Sequence, residues 1–296
     1  MLEFNKLHLR DLDKVRAYFP FAVNRICDNT VGGAFMWRDY FSVEFAEYNE
    51  TVIFKAKIKY HNNINAFSFP LGKDVRGSIE MVVKYCRVNE IPIAFCTVTT
   101  EDMKVLKTVF PVYRVFKEAN WSDYVYLASD ITALSGRKYS GQRNHINSFR
   151  RAYKDHVFEE ISDANIREVR AFFAGLTLKQ DMSSETAIEE HNKTIEVLDN
   201  FDAYGLPGGL LRVDGSVVAF AIGEVIGNVF FVHIEKADLR FRGAYQVINN
   251  EFARHFVSDD IKFINREEDV GDEGLRISKL AYHPCEIIDK YIFVVE

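Results

Sequence analysis

Proline is scarce, with six in 296 residues, and no Gly- or Ser-rich tract occurs. Long semi-rigid or flexible linkers are therefore excluded, and any domains must be joined by short connections. The four cysteines, Cys27, Cys86, Cys96 and Cys285, form no C-x-x-C pair and no metal-ligand spacing. That argues against a zinc site and leaves no metal expectation. Their neighbours are apolar, so all four read as buried thiols in a reducing compartment. No apolar run approaches the ~18 residues of a membrane span. The longest, such as residues 217–223, are strand-sized. The first residues lack the apolar core of a signal peptide, and a cytoplasmic protein is expected. Positive charge is also in deficit, at a net −6. Bulk attraction to nucleic acid or membrane is excluded, and such a partner needs a local basic patch. What is plentiful is aromatic: 25 Phe against 2 Trp, suited to tightly packed sheets and helices. The length allows about two domains.

Hydrophobic periodicity predicts alternating helices and strands. Leu12, Val15, Tyr18 and Phe19 recur at helical spacing, and Val75, Ile79, Val82, Val83 and Cys86 mark an amphipathic helix. Residues 51–57 alternate as a strand, 66–69 and 91–98 read as two more, and 124–127 is expected to close the first half. In the second half, helices are expected around 166–176, 188–198 and 245–256. Strands 210–213 and 216–225 are joined at Asp214-Gly215, a strong tight-hairpin signal. Gly227-Asn228 leads into a third strand, 229–234, and 262–264 and 291–295 follow. Three antiparallel strands, then a helical crossover to another strand, match the order of a GNAT-type acyltransferase domain, and the first half follows a similar order.

Three segments carry candidate chemistry. In the first, a short apolar strand ends in Asn265, Arg266, Glu267, Glu268 and Asp269. A helix-like stretch then carries Arg276 and Lys279, with Tyr282 just beyond. A strand ending in polar groups before a helix is where α/β folds place binding or reacting groups; the alternative is a solvated acidic loop. In the second, residues 137–154 hold six Lys/Arg and no acid. Ile146, Phe149 and Tyr153 share one helical face, while Arg143, Arg150, Arg151 and Lys154 line the rest. Such a helix can contact phosphates, or can be an exposed helix whose charges pair with acidic surface. The third segment is Arg240-Phe241-Arg242-Gly243-Ala244-Tyr245 at the start of a helix, where unpaired amides and the helix dipole favour an anion. It follows the GNAT pyrophosphate loop at Arg240 and Gly243 but has bulky Tyr245 where close approach wants a small residue. A plain loop-to-helix turn is the alternative. Mid-strand His233 reads as a satisfied core histidine, and Glu224 as an exposed side chain beside the second hairpin.

The stretches Phe35-Met36-Trp37-Arg38-Asp39-Tyr40-Phe41, residues 143–151 and residues 265–284 together resemble the family related to the C-terminal domain of phosphatidylglycerol lysyltransferases, and the likeness spans nearly the whole chain. It implies an α+β protein of two tandem GNAT-like domains, each a mixed, mostly antiparallel sheet flanked by helices. The expected division is 1–134 and 135–296, with the cofactor or active site in the second. It further implies kinship with Fem-type aminoacyltransferases and a charged-tRNA donor. The acceptor would be an amine or hydroxyl on a small molecule or lipid headgroup. In that reading Glu267 is the base, Lys279 or Arg276 stabilises developing negative charge, Tyr282 protonates the leaving oxygen, and Asn265 completes the catalytic set. Arg266, Glu268, Asp269 and Arg276 bind substrate, and Arg143, Arg150, Arg151 and Lys154 grip tRNA phosphates. One alternative is acyl transfer from acyl-coenzyme A held by Arg240, Arg242, Gly243 and Ala244. Another is a binding or sensor module without chemistry.

Overall fold

The computed structural model describes residues 2–59, 63–177 and 184–296. In chain order the first elements are β1 (Asn5–Lys6), α1 (Leu12–Arg16), α2 (Val31–Met36), β2 (Glu44–Glu47), β3 (Thr51–Ile58), β4 (Ile64–Phe67), β5 (Leu71–Gly72), α3 (Val75–Val88), β6 (Ala94–Val98), α4 (Thr100–Val109) and β7 (Tyr113–Lys117). Next come β8 (Asp123–Leu127), α5 (Ala128–Ala133), α6 (Ser140–Ala152), β9 (Val157–Glu160), α7 (Ile166–Thr177), α8 (Glu185–Asp199) and α9 (Phe201–Tyr204). The chain finishes with β10 (Gly208–Val213), β11 (Ser216–Ile226), β12 (Val229–Ala237), α10 (Ala244–Phe256), β13 (Phe263–Asn265), α11 (Glu273–Leu280), β14 (Glu286–Ile288) and β15 (Tyr291–Val295). The structure is α+β, as expected, with two mostly antiparallel sheets flanked by helices.

One compact unit comprises Met1–Asp123, Glu268–Asp272 and Ile287–Glu296; the other comprises Tyr124–Glu267 and Glu273–Glu286. The first sheet has the order β1-β2-β3-β4-β6-β15-β7, with β5 on β3. Its pairs are antiparallel except β4 and β6, which run parallel across the α3 crossover. The second sheet, β14-β8-β13-β12-β11-β10-β9, repeats that plan: antiparallel β10, β11 and β12, then α10 crossing to parallel β13. In each sheet the strand beyond the parallel neighbour comes from elsewhere in the chain. Segment 124–127 was expected to close the first half; instead β8 pairs with β13 in the second sheet, while the last strand, β15, lies between β6 and β7 in the first. Periodicity marks both segments as strands but carries no information about which sheet they join.

The local chemistry explains the elements. Thr99 and Asp102 form a reciprocal capping box on α4, and Asp74 caps α3 by accepting from Gly77 N–H at 2.9 Å. At the hairpin between β10 and β11, Asp214 and Gly215 both take positive φ, 48° and 78°. That is the turn whose twist matches flanking strands. Ile79, Val82, Phe95 and Leu106 share the first core. Tyr126, Phe149, Phe230, Ile248 and Phe252 share the second. Each such side chain contributes roughly 1.5–3 kcal/mol by leaving water.

Candidate functional site

The second unit is opened at one place by its own strand geometry. β12 and β13 pair in parallel for three residues, from Val229↔Phe263 to Phe231↔Asn265. Immediately beyond, the register between β11 and β12 slips: Gly223 faces Val232 while Ile222 faces Ile234. His233 is the extra residue of this bulge, which bends β12; pairing with β11 resumes at Ile234, whereas pairing with β13 stops at Phe231. Past that point the two strands are joined by side chains. Arg266 Nη2 donates to Glu235 at 3.1 Å, and His233 Nδ1 lies 2.7 Å from Glu267 Oε1.

Around Arg266 the site is built from four elements. Asn249 on α10 donates to Glu235 Oε2 at 3.0 Å. The Tyr282 ring lies 4.9 Å from the guanidinium carbon and packs edge-on against Tyr126. The Tyr126 hydroxyl donates to the Lys279 carbonyl at 2.9 Å. Burial raises the Tyr282 phenol well above its ordinary value, Arg266 opposing and Glu235 adding; Tyr282 is therefore a neutral O–H donor across the physiological range. Lys279 is buried, its ammonium 5.8 Å from the centre of the Tyr124 ring, and Arg276 is half-buried on α11.

Glu267 sits in a left-handed turn, φ 60°, its N–H donated to Asn265 Oδ1 at 2.6 Å. Asn265 thus shapes the turn that presents Glu267. Contrary to the expectation of exposure, Glu224 is buried and lies 3.2 Å from His233 Nε2. Burial alone would lower the imidazole pKa, but hydrogen bonds to Glu224 and Glu267 outweigh it and raise it to about 9. His233 is therefore the satisfied core histidine that the sequence suggests, held as a buried cation between two carboxylates.

Two substrate-binding candidates belong to the first unit. Glu268 pairs with Lys290 at 2.6 Å, and the same ammonium meets Asp123 at 2.9 Å, Asp28 at 2.5 Å and Cys27 Sγ at 3.4 Å. The ligand atoms of Cys27, Asp123 and Glu268 lie within 4.8 Å of one another, but the fully buried Lys290 ammonium is the cation they surround. Cys27 thus keeps ionic company, and Cys285 is exposed; neither fits the expectation of thiols buried among apolar neighbours. Asp269 is buried and accepts from Gly271 N–H at 2.8 Å.

The loop before α10 has protein partners of its own. Arg240 Nε donates to Asp238 Oδ2 at 2.8 Å, and Arg242 is exposed. Gly243 has φ 96°, and a Cβ there would lie 2.7 Å from the His145 carbonyl of α6. Packing against α6 alone thus requires the glycine. Ala244 is buried. Tyr245 takes the backbone N–H of Ala237 at the end of β12.

The basic helix is α6, with Ile146 and Phe149 buried as its apolar face predicts. Arg143 Nη1 donates to the Gly136 carbonyl at 2.6 Å and to that of Leu134, and Arg150 pairs with Glu251. Both line a cleft of about 880 Å³ with Arg254, Lys262, Asn147 and Asn250. Arg151 and Lys154 are exposed outside it.

The structure brings Arg266 and Tyr282, singled out from the sequence, together with Glu235 and Asn249, which the sequence did not single out, and places Arg254 and Lys262 beside Arg143 and Arg150. For Glu235 a signal was present: His233 and Glu235 place charged groups two apart in an otherwise apolar strand.

The model of the phosphatidylglycerol lysyltransferase C-terminal family matches residues 21–294. The chain belongs to this family. A conserved protein of unknown function from Bacteroides thetaiotaomicron has 32% identity, full coverage of both chains and a TM-score of 0.89. L-PGS from Bacillus licheniformis has 16% identity over 96% of this chain and 91% of its own, with a TM-score of 0.67. FemX shares the fold at 9% identity over 99% of this chain and 97% of its own, with a TM-score of 0.54. An uncharacterised protein of Mycoplasmoides gallisepticum is 24% identical over 59% of this chain, and the match spans 56% of that relative's length. The family member thus shares its fold with these structures, each of its two units carrying a mostly antiparallel sheet flanked by helices. Among its described residues no helix is long and apolar enough to cross a membrane.

Proposed function

We propose that this family member transfers an aminoacyl group from charged tRNA to an amine or hydroxyl of a small molecule or lipid headgroup. The observation that carries the reading is the opened end of β12 and β13, where Arg266, Tyr282 and Glu267 converge with Glu235 and His233. Glu267 takes the proton of the acceptor nucleophile, which attacks the ester carbonyl carbon. The new C–N or C–O bond forms as the ester C–O bond breaks, and Tyr282 protonates the departing ribose oxygen. Lys279 and Arg276 stabilise the oxyanion. Asn265 and His233 hold Glu267 in place, and Arg266 orients the aminoacyl group. All of these residues belong to the second unit.

Arg143, Arg150, Arg151 and Lys154, joined by Arg254 and Lys262, supply the phosphate contacts, so tRNA affinity falls steeply with salt. The acyl-coenzyme A alternative is weighed against by Tyr245 on the β12 edge and by the Arg240–Asp238 pairing. The test is transfer from radiolabelled aminoacyl-tRNA to a panel of amines and lipid headgroups. Glu267→Gln and Tyr282→Phe are expected to lose at least a hundredfold in rate while still binding tRNA. Full rate in both variants would remove the proposed base and acid.

A further inference from the structure

Two buried polar atoms at the opened end of β12 lack a hydrogen-bond partner among the described residues: Arg266 Nη1, a donor, and Asn249 Oδ1, an acceptor. Asn249 is 3% exposed and the Arg266 side chain 9%. Leaving such groups unpaired costs on the order of 1–3 kcal/mol each, so a native structure that carries them calls for an explanation. Both belong to side chains already anchored on one carboxylate. Asn249 Nδ2 donates to Glu235 Oε2 at 3.0 Å, and Arg266 Nη2 donates to Oε1 at 3.1 Å and Oε2 at 3.4 Å. The carboxylate also fixes the Asn249 amide orientation, because only its NH2 can face Glu235. The amide oxygen therefore points away from Glu235 with its acceptor capacity unspent.

We infer that Glu235, Asn249 and Arg266 form a clamp for a free α-amine and its neighbouring carbonyl. The ammonium donates to Asn249 Oδ1, and the carbonyl oxygen accepts from Arg266 Nη1. A simple acyl group brings a carbonyl but no ammonium and leaves Asn249 Oδ1 unpaired, at the usual cost of an unmet buried partner. The clamp therefore selects aminoacyl over acyl donors and requires the amine to be unblocked. This rests on the aminoacyl-transfer reading and adds to it the residues that recognise the donor.

Calorimetric titration of the full chain with the amides of alanine, lysine and phenylalanine, each beside its N-acetyl derivative, tests the clamp. At least one amine-bearing amide is expected to bind, and its N-acetyl partner to bind at least tenfold more weakly. Asn249→Ala should erase that discrimination. Arg266→Lys, which keeps a cation for Glu235 but loses the second nitrogen, should weaken both forms alike. Circular dichroism and melting confirm that each variant is folded. Equal binding of free and blocked amides overturns the clamp. So does no binding of any amide, or a crystal structure at saturating amide in which a buried water alone bridges the two atoms. Failure of transfer from every charged tRNA would instead overturn the proposed function. Equal transfer of free and N-acetylated aminoacyl groups would leave that function standing and remove only the clamp.

Discussion

At the level of single residues, the second unit turns on a buried imidazolium. An imidazole with a pKa of about 9 in the fold and 6.5 outside it binds its proton more tightly when folded. Its contribution is complete below about pH 6.5 and disappears as pH rises through about 9. A shift of that size corresponds to about 3 kcal/mol. Denaturant titrations of the wild type should therefore lose stability between those pH values, and His233→Gln should flatten that part of the curve. An identical slope in the variant would show that His233 is not the group responsible. Because Glu267 is bound to His233, Glu267→Gln should lower stability by about 1–3 kcal/mol as well as slowing transfer. Arg266, Glu267 and Tyr282 were legible because a dense polar run at a strand end is visible in the chain itself. That His233 is a satisfied core histidine was legible, but its partners were not, because they are 9 and 34 positions away and are brought together only by strand pairing and a one-residue bulge. No linear pattern encodes that register.

Among the elements, helices were the most readable, since burying one face imposes a 3.6-residue period. That period located α3, α6 and α10, and the turn chemistry of Asp214-Gly215 located the hairpin between β10 and β11. Gly243 shows where local reading falls short. Its sequence context suggests an anion cradle, yet α6 alone imposes the glycine through its approach to the start of α10. Gly243→Ala should therefore destabilise the protein by roughly 1–3 kcal/mol through positive φ and collision with α6. Chemical denaturation in the absence of ligand measures this directly. A neutral substitution would mean that α6 can yield, and that the glycine serves something other than packing.

Over the whole molecule, the fold class was legible from element order and from the family likeness, while the sheet membership of β8 and β15 was not. Strand propensity and alternation are the same whichever sheet receives a strand. Lys290 adds a matching dependence on the chain end. Replacing it with Met leaves Asp28, Asp123 and Glu268 crowded without their cation, and a loss of about 3–5 kcal/mol is expected from thermal or denaturant unfolding. A melt with saturating coenzyme A addresses the competing donor. Ligand at 100 times its dissociation constant would add about 2.7 kcal/mol, and Tyr245 at Ala237 together with the Arg240–Asp238 pairing predicts no shift. A clear upward shift would restore the acyl-coenzyme A reading.

The position of β15 between β6 and β7 also has a consequence for synthesis. On the ribosome, β6 and β7 emerge more than 170 residues before the strand that joins them. Until β15 emerges, the first unit has a gap in its sheet between β6 and β7. The part of the first unit made early therefore cannot close its sheet before the second unit's strands have been made.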